Sequence, residues 1–198
     1  FMINAIDLAE AGYLPDWLVK IGIRRLLTTR LRQLQTTDVA AFARQLRAAP
    51  LAVETQAAND QHYEVAAEFF QLTLGPRLKY SSCLFPDSST SLADAEEHML
   101  QLTCERAEIV DGMQVLELGC GWGSLTLWIA EHYPNCVITA ISNSNSQREF
   151  IQRRAREQGY SNVRVITADM RDFASDEKFD RIVSVEMFEH MRNYGLLF

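Results

Sequence analysis

The sequence predicts an α/β fold, a doubly wound parallel sheet behind a leader of helices. Three observations predict it. From about residue 113 onward, short apolar runs alternate with helical stretches, the order that builds a parallel sheet with right-handed crossovers. Before about residue 75 the apolar spacing is helical throughout. Between these regions lies VLELGCGWG, Val115 to Gly123, an apolar run ending in three glycines spaced two apart. It leads at once into Ser124 to His132, apolar and helix-compatible, as a buried strand turning sharply into a helix would.

Residues 1–75 form the expected leader. In it Trp17, Leu18, Ile21, Leu27, Leu31 and Leu34 alternate with Lys20, Arg24, Arg25, Arg30 and Arg32. Such a basic amphipathic helix either lies on a lipid surface or, more often, packs on its own domain with a solvated basic face. Thr37 or Asp38 can cap a helix through Arg47 that Pro50 ends. A further helix is expected over Val65 to Leu72, stopped by Gly75-Pro76.

Residues 76–198 are expected to form the sheet domain. A Pro- and Ser-rich loop spans 76–91 and a helix Leu92 to Ile109, with Asp111-Gly112 as the turn into the first strand. The second strand, Cys136 to Ile141, follows the breaker Pro134-Asn135. Ser146 and Glu149 have capping-box spacing at the start of a helix that Gly159 closes. Val163 to Thr167 and Phe179 to Val185 read as the third and fourth strands. The chain starts at Phe1 and stops at Leu196-Leu197-Phe198 inside a helical stretch, so it reads as C-terminally truncated after four strands.

Composition narrows the class. With 47% hydrophobic and 23% charged residues over 198 positions, this is ordinary globular material. No apolar run approaches the ~20 residues of a membrane span. Four widely spaced cysteines, Cys83, Cys104, Cys120 and Cys136, form no C-x-x-C pair, which favours reduced thiols in the cytoplasm over a disulfide frame or a zinc site. A net charge of −7 argues against a nucleic-acid partner. The balance is uneven, with seven Lys/Arg against four Asp/Glu in residues 1–50.

The glycine turn suits a nucleotide-type cofactor, because glycines admit a ligand close to the backbone and a helix start offers unpaired N–H groups. A dinucleotide fingerprint is incomplete. Ser124 replaces its third glycine, and the second strand ends in Ile141-Ser142-Asn143 without the ribose-binding acid. Glu117, two residues before the first of the glycines Gly119, Gly121 and Gly123, instead fits the E/D-x-G-x-G-x-G form of S-adenosylmethionine (SAM) methyltransferases. A NAD or flavin site and a purely structural turn remain as alternatives.

At the other strand ends, Ser142 and Gln147 can bond ribose hydroxyls, or Ser142 and Ser144 merely cap the next helix. Asp169 can accept from an adenine amino group with Met170 against the ring, or be an ordinary turn residue. Glu186, Glu189 and His190, spaced by three and four, would share one helical face beside the cofactor mouth. Two acids and an imidazole there can orient an amine and take its proton, or form a plain surface pairing near a helix start. His98, in a helix with Glu96 and Glu97, reads as solvated. His132 reads as a dipole-compatible residue near a helix end.

The runs LKYSSCLF (Leu78 to Phe85), VLELGCGWG, ISNSNSQ (Ile141 to Gln147) and FDRIVSVEMFEHMRNY (Phe179 to Tyr194) together resemble the cyclopropane-fatty-acid-synthase family of SAM methyltransferases. Within it they are most similar to the coclaurine-type N-methyltransferases of benzylisoquinoline alkaloid pathways. The resemblance runs from about Pro50 to the end. It implies a Rossmann-like fold, with residues 1–75 as a helical extension covering the cofactor. It also implies that Tyr80 and Ser81 meet the methionine part of SAM while Tyr63 helps to close over it. Ser142 and Gln147 would hold the ribose, Asp169 and Met170 the adenine, and Glu186, Glu189 and His190 a small-molecule amine. Lipid cyclopropane synthases typically carry Cys at Ser82 and Gly at Glu186, and use the acid matching Glu189 to help hold a bicarbonate base. Both departures favour an amine substrate over a lipid double bond, the reading in which peripheral membrane contact would enter. A SAM-binding piece without activity is the third reading.

Overall fold

The computed structural model describes residues 5–53 and 67–198. The chain divides into two compact units, Phe1–Ala48 and Ala49–Phe198. The described residues 49–53 and 67–75 of the expected leader therefore belong to the second unit.

In the first unit, α1 (Ala5–Glu10), α2 (Asp16–Gln35) and α3 (Val39–Ala48) follow one another. Of the two cap candidates Asp38 serves, its carboxylate accepting the Ala41 N–H at 3.0 Å and filling one orphan donor of the helix start. None of the three helices buries a residue.

The second unit holds α4 (Ala67–Thr73), α5 (Leu92–Arg106), β1 (Gln114–Leu118), α6 (Ser124–His132), β2 (Val137–Ser142), α7 (Asn145–Glu157), β3 (Val163–Thr167), β4 (Arg181–Ser184), a 3₁₀ turn (Phe188–His190) and α8 (Tyr194–Leu197). The expected alternation is present, with β4 shorter than its apolar run. The strands are all parallel in the order β3-β2-β1-β4. Direction of travel reverses between β1 and β4, which makes their carboxyl ends a topological switch point. Leu118 is in register with Ile141 and with Ser184, so residues 119, 142 and 185 stand side by side at the carboxyl end of the sheet.

Period-two alternation sorts the strand residues. Val115, Ile138, Ala140, Val165 and Val183 face α5, α6 and α7, whose Leu100, Trp128, Ile129, Phe150 and Ile151 complete two core clusters. Leu116, Leu118 and Ile141 face the other way and pack with Ala52, Met187 and Met191. A strap crosses that side. Ala52 and Met191 form an antiparallel bridge, Leu51 O accepts the Arg192 N–H at 2.8 Å, and Ala49 O accepts from Asn193 Nδ2 at 2.9 Å.

Two local findings differ from the sequence reading. The cap of α7 is Ser144, whose hydroxyl accepts the Gln147 N–H. The Ser146–Glu149 box is displaced because Ser142 Oγ accepts the Ser144 N–H at 3.0 Å and starts the turn two residues earlier. His98 is exposed as expected, but Glu96 beside it is fully buried. Glu96 accepts the backbone N–H groups of Arg77 (3.0 Å) and Lys79 (2.9 Å), fixing the 76–91 loop on α5. Among the described residues, no helix is long and apolar enough to cross a membrane.

Candidate functional site

A cavity of about 180 Å³ opens at the carboxyl ends of the strands, lined by residues between Val53 and Met191. Its floor is the glycine turn. Gly119 has φ +80°, where side chains other than glycine are strained, and a Cβ there would lie 2.9 Å from Met187 Cβ. Only glycine satisfies both conditions. Gly121 lines the cavity opposite Tyr80, and α6 begins at Ser124, whose hydroxyl is buried without a partner among the described residues.

At the end of β2, Ser142 does more than cap. Its hydroxyl donates to Gln147 Oε1 at 2.7 Å while accepting the Ser144 N–H. This fixes the Gln147 amide and leaves its Nε2 buried without a partner among the described residues. Gln147 is 1% exposed and lines the cavity. An orphaned buried donor costs about 1–3 kcal/mol, so an acceptor supplied by a ligand is the natural complement. At the end of β3, Asp169 and Met170 also line the cavity. Both Asp169 oxygens take N–H groups of Arg171, from the backbone at 2.8 Å and from the guanidinium at 2.8 and 3.1 Å. A ligand donor would share those oxygens.

The electrostatic centre is Glu117. It is 3% exposed and shares the sheet face covered by α6, from which Thr126 Oγ1 donates to its Oε2. Burial pushes the carboxyl up to about 7, against the opposing pull of the Thr126 hydrogen bond and the Lys79 charge. Lys79 lines the cavity as well. Burial draws its ammonium below the usual lysine value, while the charges of Glu186 and Glu117 hold it up. Neither Lys79 nor Thr126 was singled out from sequence. A lysine inside the apolar run before Tyr80 was the available signal for the first; nothing local marked the second. Cys120, in the glycine turn, is buried and its thiol raised well above the ordinary value by desolvation, which leaves it inert.

Tyr80, Ser81, Glu186 and His190 line the same cavity, and Glu189 does not. The shared helical face expected for the last three is not formed. Glu186 sits at φ +58°, outside any helix, and the chain then makes the 3₁₀ turn Phe188–His190. Three residues per turn align Met187 with His190, and these two line the cavity while Glu189 is exposed. Tyr63 lies outside the described residues.

A family model described as mycolic acid cyclopropane synthetase matches residues 52–198. The chain is 41% identical over 203 residues to an (S)-coclaurine N-methyltransferase of Thalictrum flavum subsp. glaucum, covering 99% of this chain and 56% of the relative. A pavine N-methyltransferase of the same plant is 37% identical, with 98% and 56% covered. The crystal structure of a coclaurine N-methyltransferase bound to N-methylheliamine and SAH superposes with a TM-score of 0.88 at 42% identity, covering 96% of this chain and 57% of that one. The chain thus spans little more than half the length of the curated relatives it matches. With its parallel sheet, its glycine turn and a match over residues 52–198, the chain belongs to the mycolic acid cyclopropane synthetase family.

Proposed function

We propose that the chain is the cofactor-binding part of a cytoplasmic enzyme that transfers a methyl group from SAM to an amine nitrogen of a small molecule. The observation that carries this reading is one cavity lined by the glycine turn, a buried Gln147 with an orphaned amide, and the Glu186–His190 turn. The residues suit the cofactor chemically. Gln147 Nε2 offers a donor to a ribose hydroxyl, and Glu117 offers a buried carboxylate, charged above about pH 7, to the ammonium of the methionine portion. Met170 supplies an apolar contact for a flat base, Tyr80 stands over Gly121, and Ser81 lines the cavity beside it. Tyr63 and Asp169 are assigned to cofactor contact on the resemblance.

Bound there, SAM supplies an electrophilic methyl on a sulfonium. The chain's residues supply positioning and charge. An amine is protonated at neutral pH and has no lone pair to attack with until that proton leaves. The Glu186 carboxylate attracts the ammonium, and the His190 imidazole holds the departing proton. Glu189 enters this reading from the resemblance, since it stands outside the cavity lining. Support comes from relatives whose names carry N-methylation of coclaurine and pavine and from a neighbour bound to SAH.

A lipid substrate is the second reading, favoured by α2. Trp17, Leu27 and Leu31 are exposed there among five basic residues and one acidic residue. One experiment separates the two. SAH should raise the melting temperature of the protein and NAD should not. The complete protein should then methylate a benzylisoquinoline amine in preference to unsaturated phospholipid vesicles. Stabilisation by NAD, or turnover of the vesicles alone, would overturn the proposal.

A further inference from the structure

We propose that Ser82 is a positioning residue, its hydroxyl holding the Glu186 carboxylate in the orientation that receives the substrate nitrogen. The inference rests on the amine reading above. Ser82 Oγ donates to Glu186 Oε1 at 3.0 Å across 104 positions of sequence. It ties the 76–91 loop, which carries Tyr80 and Ser81, to the end of β4. Both partners stand in left-handed backbone, Ser82 at φ +57° and Glu186 at φ +58°. Each such conformation costs a non-glycine residue roughly 1–2 kcal/mol, and two strained residues meeting in a hydrogen bond is the pattern of a ligand clamp.

Geometry explains what the bond achieves. Glu186 lines the cavity yet is exposed, so its long side chain has rotamer freedom to lose on binding. Occupying Oε1 removes that freedom before substrate arrives and leaves Oε2 to face an ammonium. Lys79, three positions before Ser82, adds a positive charge that acts on Glu186. No other side chain of the described residues is seen to hydrogen-bond Glu186.

The test uses Ser82→Gly and Ser82→Asn in the complete protein. Glycine removes the hydroxyl and relieves the left-handed strain, so misfolding cannot account for a loss. Asparagine tolerates that backbone and restores a donor. Calorimetry measures SAH alone, then N-methylheliamine with SAH present. Ser82→Gly should melt no lower than the parent and bind SAH equally. Its affinity for the amine should fall about five- to tenfold, within the net contribution usual for a single hydrogen bond. Ser82→Asn should recover most of the loss, and Ser82→Gly should add nothing once Glu186→Gln is present. Unchanged amine affinity in Ser82→Gly would overturn the assignment, as would a loss of equal size in the Glu186→Gln background. A parent that binds SAH but no amine would overturn the amine reading and this inference with it.

Discussion

A carboxylate placed where water cannot follow is held there for its charge or for its proton. Glu117 is such a group, with burial as the main cause and the Thr126 hydroxyl as its donor. Its acid form is favoured in the folded chain up to about pH 7 and in the unfolded chain only up to about 4.5. The folded state therefore holds the extra proton, and the resulting stability is complete below about 4.5 and lost as pH rises through about 7. The loss is on the order of 3 kcal/mol. Glu117→Gln should flatten this dependence in denaturant titrations at a series of pH values, and should weaken SAH about tenfold by removing a charged partner. A parent whose stability does not fall between pH about 5 and about 8 would refute the assignment. Sequence showed Glu117 as a motif position; its proton affinity comes from α6 closing over the sheet face, which no local pattern encodes.

Among elements, the β1–α6 turn was the most legible because its constraint is local. Gly123 has φ +82°, and a Cβ there would meet Ile151 Cγ1 at 2.7 Å; Gly159 has φ +77° and open space around it. Gly123→Ala should cost about 3 kcal/mol, backbone strain plus overpacking. Gly159→Ala should cost about 1 kcal/mol, strain alone. Urea denaturation of both variants measures the difference, and equal losses would mean that Ile151 yields without cost. What escaped the sequence was set by distant partners. Glu96, two residues from the exposed His98, carried no signal of its own and is the anchor of the loop after Gly75, whose missing Cβ leaves room for its carboxylate. Glu186, Glu189 and His190 had helical spacing, but the left-handed residue at Glu186 and the 3₁₀ turn broke it. The Ser146–Glu149 box failed for a subtler reason: Ser142 and Ser144 are the same residue type at an equally plausible spacing, and strand β2 decides which one begins the helix.

Among the described residues, the core clusters and the residues lining the cavity belong to Ala49–Phe198, while α1, α2 and α3 hold no fully buried residue. As part of a cofactor cover, residues 1–48 should be needed for full SAH affinity, which calorimetry on the shortened protein would read; unchanged affinity would refute that role. The α/β class and strand sequence were readable because periodicity and glycine placement act over a few residues. The boundary at Ala48 was not, since the apolar spacing in the sequence reads as helical on both sides of it.

The strap between Ala52 and Met191 carries a kinetic consequence. It closes a loop of about 140 residues, at an entropic cost of about 4 kcal/mol before any bond across it forms. A few backbone hydrogen bonds cannot offset that from an open chain. The strap must therefore zip after the parallel strands have already brought its ends near each other, and on heating it should be the first part of the second unit to open. His190 and Met191 sit at its far end and line the cavity, so that stretch of the cavity wall should be completed late in folding.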